Sequence, residues 1–222
     1  MKPLVGTGRL VTFEGGEGSG KSTQVALLAS WLGSRGVRVV TARDPGRTGV
    51  GEAIRHVLLD PASGPMAAET ELLLYLAARA QLVRELVEPA LAAGAVVLLD
   101  RFDDSSFAYQ GGGRGIPEGL LAPANELATG GLRADLTVLI DLASDEGRRR
   151  RGSDASRGAE DRIEREEAGF HERVRDAYRR RAAAEPARFL VVDGRESTDI
   201  VHDRVRRRVL ALLEPGPWGG TP

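Results

Sequence analysis

Phe13-Glu14-Gly15-Gly16-Glu17-Gly18-Ser19-Gly20-Lys21-Ser22 carries the pattern G-x-x-x-x-G-K-[ST], set between the apolar run Leu10–Phe13 and the helical-period stretch Ser22–Leu32. A strand before and a helix after are the context in which this pattern cradles phosphate. Glycines allow successive backbone N–H groups to point inward at phosphate oxygens, and the helix N-terminus adds partial positive charge. Gly15, Gly16, Glu17, Gly18, Ser19, Gly20, Lys21 and Ser22 are therefore candidates to bind ATP phosphates. Lys21 is expected to reach the β- and γ-phosphates, and the Ser22 hydroxyl to ligate Mg²⁺. The bland alternative is a glycine-rich strand–helix turn with an accidental lysine.

Working outward, short β-branched runs recur at Leu10–Phe13, Val37–Thr41, Val96–Leu99, Leu136–Ile140 and Phe189–Val192. Most are apolar on both faces, as strands inside a parallel sheet should be. Helical periodicity falls between and after them, at Ser22–Leu32, Val50–Leu59, Glu69–Leu91, Pro117–Ala128, Ser144–Arg151, Arg162–Ala184 and Asp199–Leu213. The alternation predicts an α/β fold: a doubly wound, mostly parallel five-stranded sheet flanked by helices, with ligands beyond the carboxyl ends of the strands. Pro117 is expected in the first turn of its helix, and Asp161-Arg162-Ile163-Glu164 has the spacing of a capping box opening a long helix. No repeat or linker divides the chain, so residues 1–213 are expected to form one domain with a lid at about 148–162, followed by a flexible tail, 214–222, rich in Pro and Gly.

Composition narrows the function. The 222 residues are 41% hydrophobic and 28% charged, ordinary for a globular protein. Without cysteine there is no disulfide frame, Cys-ligated metal or thiol nucleophile. A net charge of −1 argues against a general nucleic-acid binder, and no apolar run is long enough to span a membrane. The N-terminus lacks a signal-peptide apolar core, so the expected location is cytoplasmic. Only two of the 31 basic side chains are lysines, Lys2 and Lys21, which singles out the compact ammonium at Lys21.

Val96-Val97-Leu98-Leu99-Asp100 completes the phosphate site in outline: an apolar strand ending in an acid that reaches Mg²⁺, with Arg101 next to it able to fork onto phosphate oxygens. Guanine-reading GTPases need N-K-x-D, which cannot exist in a chain with no lysine beyond position 21. Size and a second set of basic groups point to a kinase of a small phosphorylated acceptor.

Phe13–Gln24, Arg43-Asp44-Pro45-Gly46, Asp100-Arg101-Phe102-Asp103-Asp104-Ser105-Ser106, Ala108-Tyr109-Gln110-Gly111-Gly112-Gly113-Arg114-Gly115 and Asp161-Arg162-Ile163-Glu164 resemble the bacterial thymidylate kinases, which are P-loop nucleoside monophosphate kinases. The resemblance implies transfer of the ATP γ-phosphoryl group to dTMP, giving dTDP for dTTP biosynthesis, and a homodimer. It also implies that Tyr75 stacks on thymine and Arg79 hydrogen-bonds the base, although an Arg on that apolar helical stripe could instead snorkel. Ser106, Tyr109 and Gln110 would line the base and deoxyribose end, while Asp44, Pro45 and Arg101 would hold the acceptor phosphate and sugar. Members with an acid in the phosphate loop, as at Glu17, resemble those that draw a catalytic arginine from the lid; Arg149, Arg151, Arg157 and Arg162 are the candidates. A solvated helix end is the plain alternative for the run Arg148–Arg151.

Departures from the family pattern are modest: Asp44 for the usual Glu, Arg47 for Gly, Phe102 for Tyr. His56, His171 and His202 lack metal-ligand spacing and read as structural. Two rivals remain: a kinase of another nucleoside monophosphate or of a deoxynucleoside, and a nucleotide-binding regulator that has lost catalysis. The joint presence of Lys21, Ser22, Asp100 and Arg101 argues against the second.

Overall fold

A computed structural model describes residues 8–152 and 160–213. Arg157, most of the expected lid loop and the tail 214–222 lie outside the described residues. Five strands, β1 (Arg9–Glu14), β2 (Val39–Arg43), β3 (Val96–Asp100), β4 (Leu136–Asp141) and β5 (Phe189–Asp193), form one parallel sheet in the order β2-β3-β1-β4-β5. Helices α1 (Lys21–Gly33), α2 (Gly49–Leu59), α3 (Ala68–Leu82), α4 (Glu88–Ala92), α5 (Asp103–Ser106), α6 (Glu118–Thr129), α7 (Ser144–Gly152), α8 (Ala168–Ala184) and α9 (Thr198–Leu213) connect and cover it.

Strand alternation splits the core. Val11, Phe13, Leu98, Val138 and Ile140 face Val25, Leu28 and Leu32 of α1 and Val201, Val205 and Val209 of α9. On the opposite face Leu10, Val97 and Leu99 pack with Leu82, Val83 and Val87, and Leu139 with Val174 and Tyr178 of α8. A polar thread runs through this second layer: Thr12 shares a 2.9 Å hydrogen bond with Thr137, which donates to Asp104. Asp104 is 1% exposed and takes ion pairs from Arg181 and Arg188, so α5 is pinned to α8 by groups too buried to be left unpaired.

Several boundaries differ from expectation for local reasons. β2 starts at Val39, two residues later than the apolar run suggests. The helix expected over 69–91 breaks into α3, a π-helical turn at Val83–Val87 and α4, because Pro89 has no N–H to continue the ladder. Pro117 flanks α6 and does not enter its first turn. The capping box does close: Asp161 N donates to Glu164 and Glu164 N to Asp161, both at 2.9 Å. Yet it makes only a turn, in which Arg165 N returns to Asp161 O and Glu166 N to Ile163 O, and the helix begins at Ala168.

Residues 103–113, which carry no element in the sequence reading, form α5 and a π-helical continuation, Phe107–Gly113. The glycines there serve close packing: a Cβ on Gly112 would sit 2.5 Å from that of Ala177. Among the described residues no helix is long and apolar enough to cross a membrane.

Candidate active site

The phosphate loop leaves β1 and enters α1 through Gly20 in the left-handed conformation. Gly18 also has positive φ, and a Cβ there would meet Gly147 O at 2.2 Å, so the loop rests directly on α7, the helix leading to the lid. Lys21 is 7% exposed and folds back on the loop, donating to Gly16 O at 2.7 Å and Gly15 O at 3.2 Å. Burial, with Arg101 adding to it, lowers its pKa to about 8. Those two carbonyl bonds are the ones an incoming phosphate would replace.

Ser22 Oγ donates to Asp100 Oδ2 at 2.5 Å, so the two candidate metal ligands, far apart in sequence, share one point at the carboxyl edge of the sheet. A hydroxyl and a carboxylate are hard oxygen donors, and so sparse a protein set suits Mg²⁺, which keeps waters and takes phosphate oxygens for the rest.

Arg101 follows in the left-handed region, φ 72°. Its guanidinium donates to Tyr109 OH at 2.9 Å and Tyr178 OH at 3.2 Å, and lies 3.9 Å from Glu17. Behind it Glu14, fully buried at the end of β1, accepts from Phe102 N, Ser105 Oγ and Tyr178 OH. Burial pushes Glu14 up to about 7 from its ordinary 4.5, with Arg101 pulling the other way. Between those values the folded chain keeps a proton that the unfolded chain has released, so stability falls as pH rises through the window. Relative to the non-titrating Glu14→Gln, the wild type is expected to lose about 3 kcal/mol of folding stability from about pH 5 to about pH 8. Denaturant midpoints of both proteins across that range check this; parallel courses would assign Glu14 an ordinary pKa.

A cavity opens next to Arg101 and Glu17, lined also by Asp44, Pro45, Arg55, Tyr75, Arg79, Ser105, Tyr109, Gln110, Asp161, Ile163, Glu164 and His171. It gathers Asp44, Pro45, Tyr75, Arg79, Arg101, Tyr109 and Gln110, singled out above, from α3, the β2–α2 turn and the segment after β3. Ser106 is not in the lining: it is fully buried and accepts from Arg79, while its neighbour Ser105 faces the cavity. One helical residue is about 100° of rotation, enough to turn one hydroxyl inward and the other out.

Arg79 neither snorkels nor points freely at a ligand. It is 1% exposed, donates through Nε to Asp44 at 2.6 Å, and through its other nitrogens to Ser106, Asn125 and Phe102 O. Four of its five N–H groups are thus committed to partners within the protein, of which Asp44 lines the cavity. Arg79→Ala would leave Asp44 buried without its counter-ion, and is expected to cost about 3 kcal/mol of folding stability. Chemical denaturation checks this; a loss below about 1 kcal/mol would return Arg79 to a purely ligand-facing role.

A second cavity adjoins the phosphate loop and is lined by Gly16, Glu17, Tyr109, Ser144, Arg148, Arg151, Glu160, Glu164, His171 and Arg175, among others. Of the lid candidates, Arg151 is here, 13% exposed and paired with Glu164. Arg149 points outward, 70% exposed against Asp145 and Glu146. Arg162 turns away to buried Glu71 at 2.6 Å and to Leu58 O at 2.8 Å, stapling the lid base to α2 and α3. Glu71 takes Gln110 and Arg114 as well.

Arg55, Ser105, Arg148, His171 and Tyr178 are site residues that sequence reasoning missed. Arg55 lies one turn before Leu59 on α2, and both line the first cavity. His171, read as structural, lines both cavities; burial, helped by Arg148, lowers its pKa.

Comparison with known proteins points to one family. The family model described as thymidylate kinase matches residues 13–205. Thymidylate kinase from Desulforudis audaxviator is 47% identical over 218 residues, 97% of each chain. The one from Chromohalobacter salexigens is 50% identical over 208 residues, covering 93% of this chain and 97% of its own. Among solved structures, thymidylate kinase from Ehrlichia chaffeensis superposes with a TM-score of 0.75 at 31% identity, over 92% of this chain and 99% of that one. A match of this extent in sequence and in fold means that the chain belongs to the thymidylate kinase family.

Proposed function

We propose that the protein transfers the γ-phosphoryl group of ATP to dTMP, giving ADP and dTDP, as a single-domain cytoplasmic enzyme. The observation that carries the reading is the meeting of two spaces at Glu17 and Arg101: a cavity with aromatic, amide and arginine walls, and a phosphate loop with Lys21, Ser22 and Asp100. In this reading Tyr75 offers its ring to the base and Tyr109 and Gln110 the sugar end. Arg55, held by Pro45 O at 3.0 Å, and Arg101 receive the acceptor phosphate.

An acceptor oxygen forms the new bond to the γ-phosphorus as the bond to the β–γ bridging oxygen breaks. No general base is needed, since a phosphate monoester with a second pKa of about 6 is largely ionised at neutral pH. The residues therefore position and neutralise: Lys21 moves from its loop carbonyls to phosphate oxygens, and Arg101 holds the attacking group in line. Mg²⁺, held by Ser22 and Asp100, would supply charge neutralisation at the β- and γ-oxygens.

Turnover of Mg·ATP against dTMP, dUMP, dCMP, dGMP and thymidine tests this. Preference for dTMP is expected. Preference for another monophosphate or for the nucleoside would replace the acceptor assignment, and no turnover at all would favour a regulator. Leu73 on α3 and Leu120 and Leu127 on α6 are 64%, 62% and 84% exposed, and we take this apolar face to meet a second copy of the chain. Light scattering on Leu127→Glu checks it: a monomer is expected, and an unchanged dimer would move the interface elsewhere.

A further inference from the structure

Arg101 occupies a backbone conformation that a non-glycine residue adopts rarely, φ 72°, and the end of β1 holds it from both sides. Arg101 N donates to Phe13 O at 3.0 Å, and Phe102 N to Glu14 Oε1 at 2.8 Å. The side chain is held as specifically. Glu14 Oε2 accepts from Tyr178 OH at 2.6 Å and from Ser105 Oγ at 2.7 Å, the two hydroxyls themselves lying 2.8 Å apart. A hydroxyl has one proton to donate. With the carboxylate taking it, each oxygen has lone pairs left for Arg101 NH1, at 3.2 Å from Tyr178 and 3.4 Å from Ser105.

The arrangement keeps apart two charges that would otherwise collapse together. Glu14 is fully buried, and a bare carboxylate there would draw the guanidinium into a direct pair. Among the described residues the acid within ion-pair distance of Arg101 is Glu17, on the phosphate loop, and not Glu14. Tyr178 is 1% exposed and reaches in from α8, with its ring edge-on to Tyr109 at 6.3 Å. Tyr109 OH in turn takes Arg101 NH2 at 2.9 Å.

We propose that Tyr178 is a positioning residue for phosphoryl transfer: its hydroxyl, committed as donor to Glu14, turns a lone pair to Arg101 and holds the guanidinium forward, where the acceptor phosphate arrives. The assignment deepens the kinase reading and rests on it. Without the hydroxyl, Arg101 settles back toward Glu14, and the acceptor binds but is poorly aligned for in-line attack.

The test is a double-mutant cycle of Tyr178→Phe with Arg101→Lys at about pH 8, where Glu14 is ionised. Tyr178→Phe keeps the ring and is expected to lower kcat about 10-fold or more, with the acceptor KM within about threefold. In the Arg101→Lys background, which has no fork to hold, the same change is expected to alter kcat less than about twofold. An equal kcat loss in both backgrounds, or none in either, overturns the proposal. Should Tyr178→Phe fail to fold, Ser105→Ala removes the second hydroxyl and the same non-additivity with Arg101→Lys decides. The cycle uses whichever acceptor the wild type phosphorylates best, so failure of the dTMP assignment shows in the wild type alone and failure of the positioning role in the cycle alone.

Discussion

Lys21→Ala is expected to lower turnover by roughly 10²–10⁵ while the protein stays folded, and Arg101→Ala to do the same. Both substrates carry their charge at the reacting ends, so the barrier is mostly the work of bringing anions together and neutralising what builds up in transfer. Lys21 is placed for that work, 2.7 Å from a loop carbonyl that a phosphate oxygen can replace, and buried enough that its charge is weakly screened. Its pKa, lowered to about 8 by burial, still leaves it mostly protonated at neutral pH, and phosphate charge would hold the proton more firmly. The fold does not depend on that ammonium: its partners are backbone carbonyls of the loop it serves. Arg101→Ala keeps the backbone turn, because Phe102 N stays anchored on Glu14. Steady-state kinetics with thermal midpoints separate the two effects. Near-normal turnover in either variant would remove that residue from the phosphate clamp.

How much of this was legible follows from where the partners lie along the chain. The phosphate loop is contiguous, and its glycines, lysine and serine are needed together, so the strand–loop–helix unit reads directly. The strands read almost as well: the inner three, β1, β3 and β4, are buried along nearly their whole length and so mostly apolar, while the partly exposed edge strands β2 and β5 still carry short Val-rich runs. What the pattern misses is set by pairing at a distance. From its own helix Arg79 is open to a ligand-facing or a snorkelling reading, because the Asp44 that takes its Nε lies 35 residues earlier. Tyr178 meets Glu14 across 164 residues, and no local periodicity announces such a bond. The Gly-rich stretch 111–113 looks like a loop for the same reason: the helix it belongs to is dictated by how closely α8 must approach, a constraint written in Ala177 and Phe170. The capping box at Asp161 forms as its spacing predicts but closes only a turn, and the continuous helix starts at Ala168.

The same distant pairings separate the lid arginines, which the sequence left equivalent. Arg151→Ala is expected to lower turnover about 10³-fold, by analogy with arginine fingers, with little change in dTMP affinity. Arg151 stands in the cavity beside Gly16 and Glu17, on the helix that rests on the phosphate loop through Gly18 and Gly147. Glu17 cannot neutralise a developing negative charge, and its presence near Arg101 makes an additional cation at this point more necessary. Arg151 is held by Glu164, and closure requires the phosphoryl group to compete for it; a doubly or triply charged phosphate can do so where a single carboxylate holds. Arg149, outward on Asp145 and Glu146, is expected to tolerate Ala with near-wild-type kinetics. Arg162→Ala should instead raise the dTMP KM, because it unpins the base of the lid from buried Glu71, which also holds Gln110 in the acceptor wall. Steady-state constants for Ala variants at Arg148, Arg149, Arg151, Arg157 and Arg162 decide among them. Turnover of Arg151→Ala within about threefold of wild type, with the loss appearing at Arg148 or Arg157, would move the transferring charge to that residue and leave the Arg151–Glu164 pair as a latch.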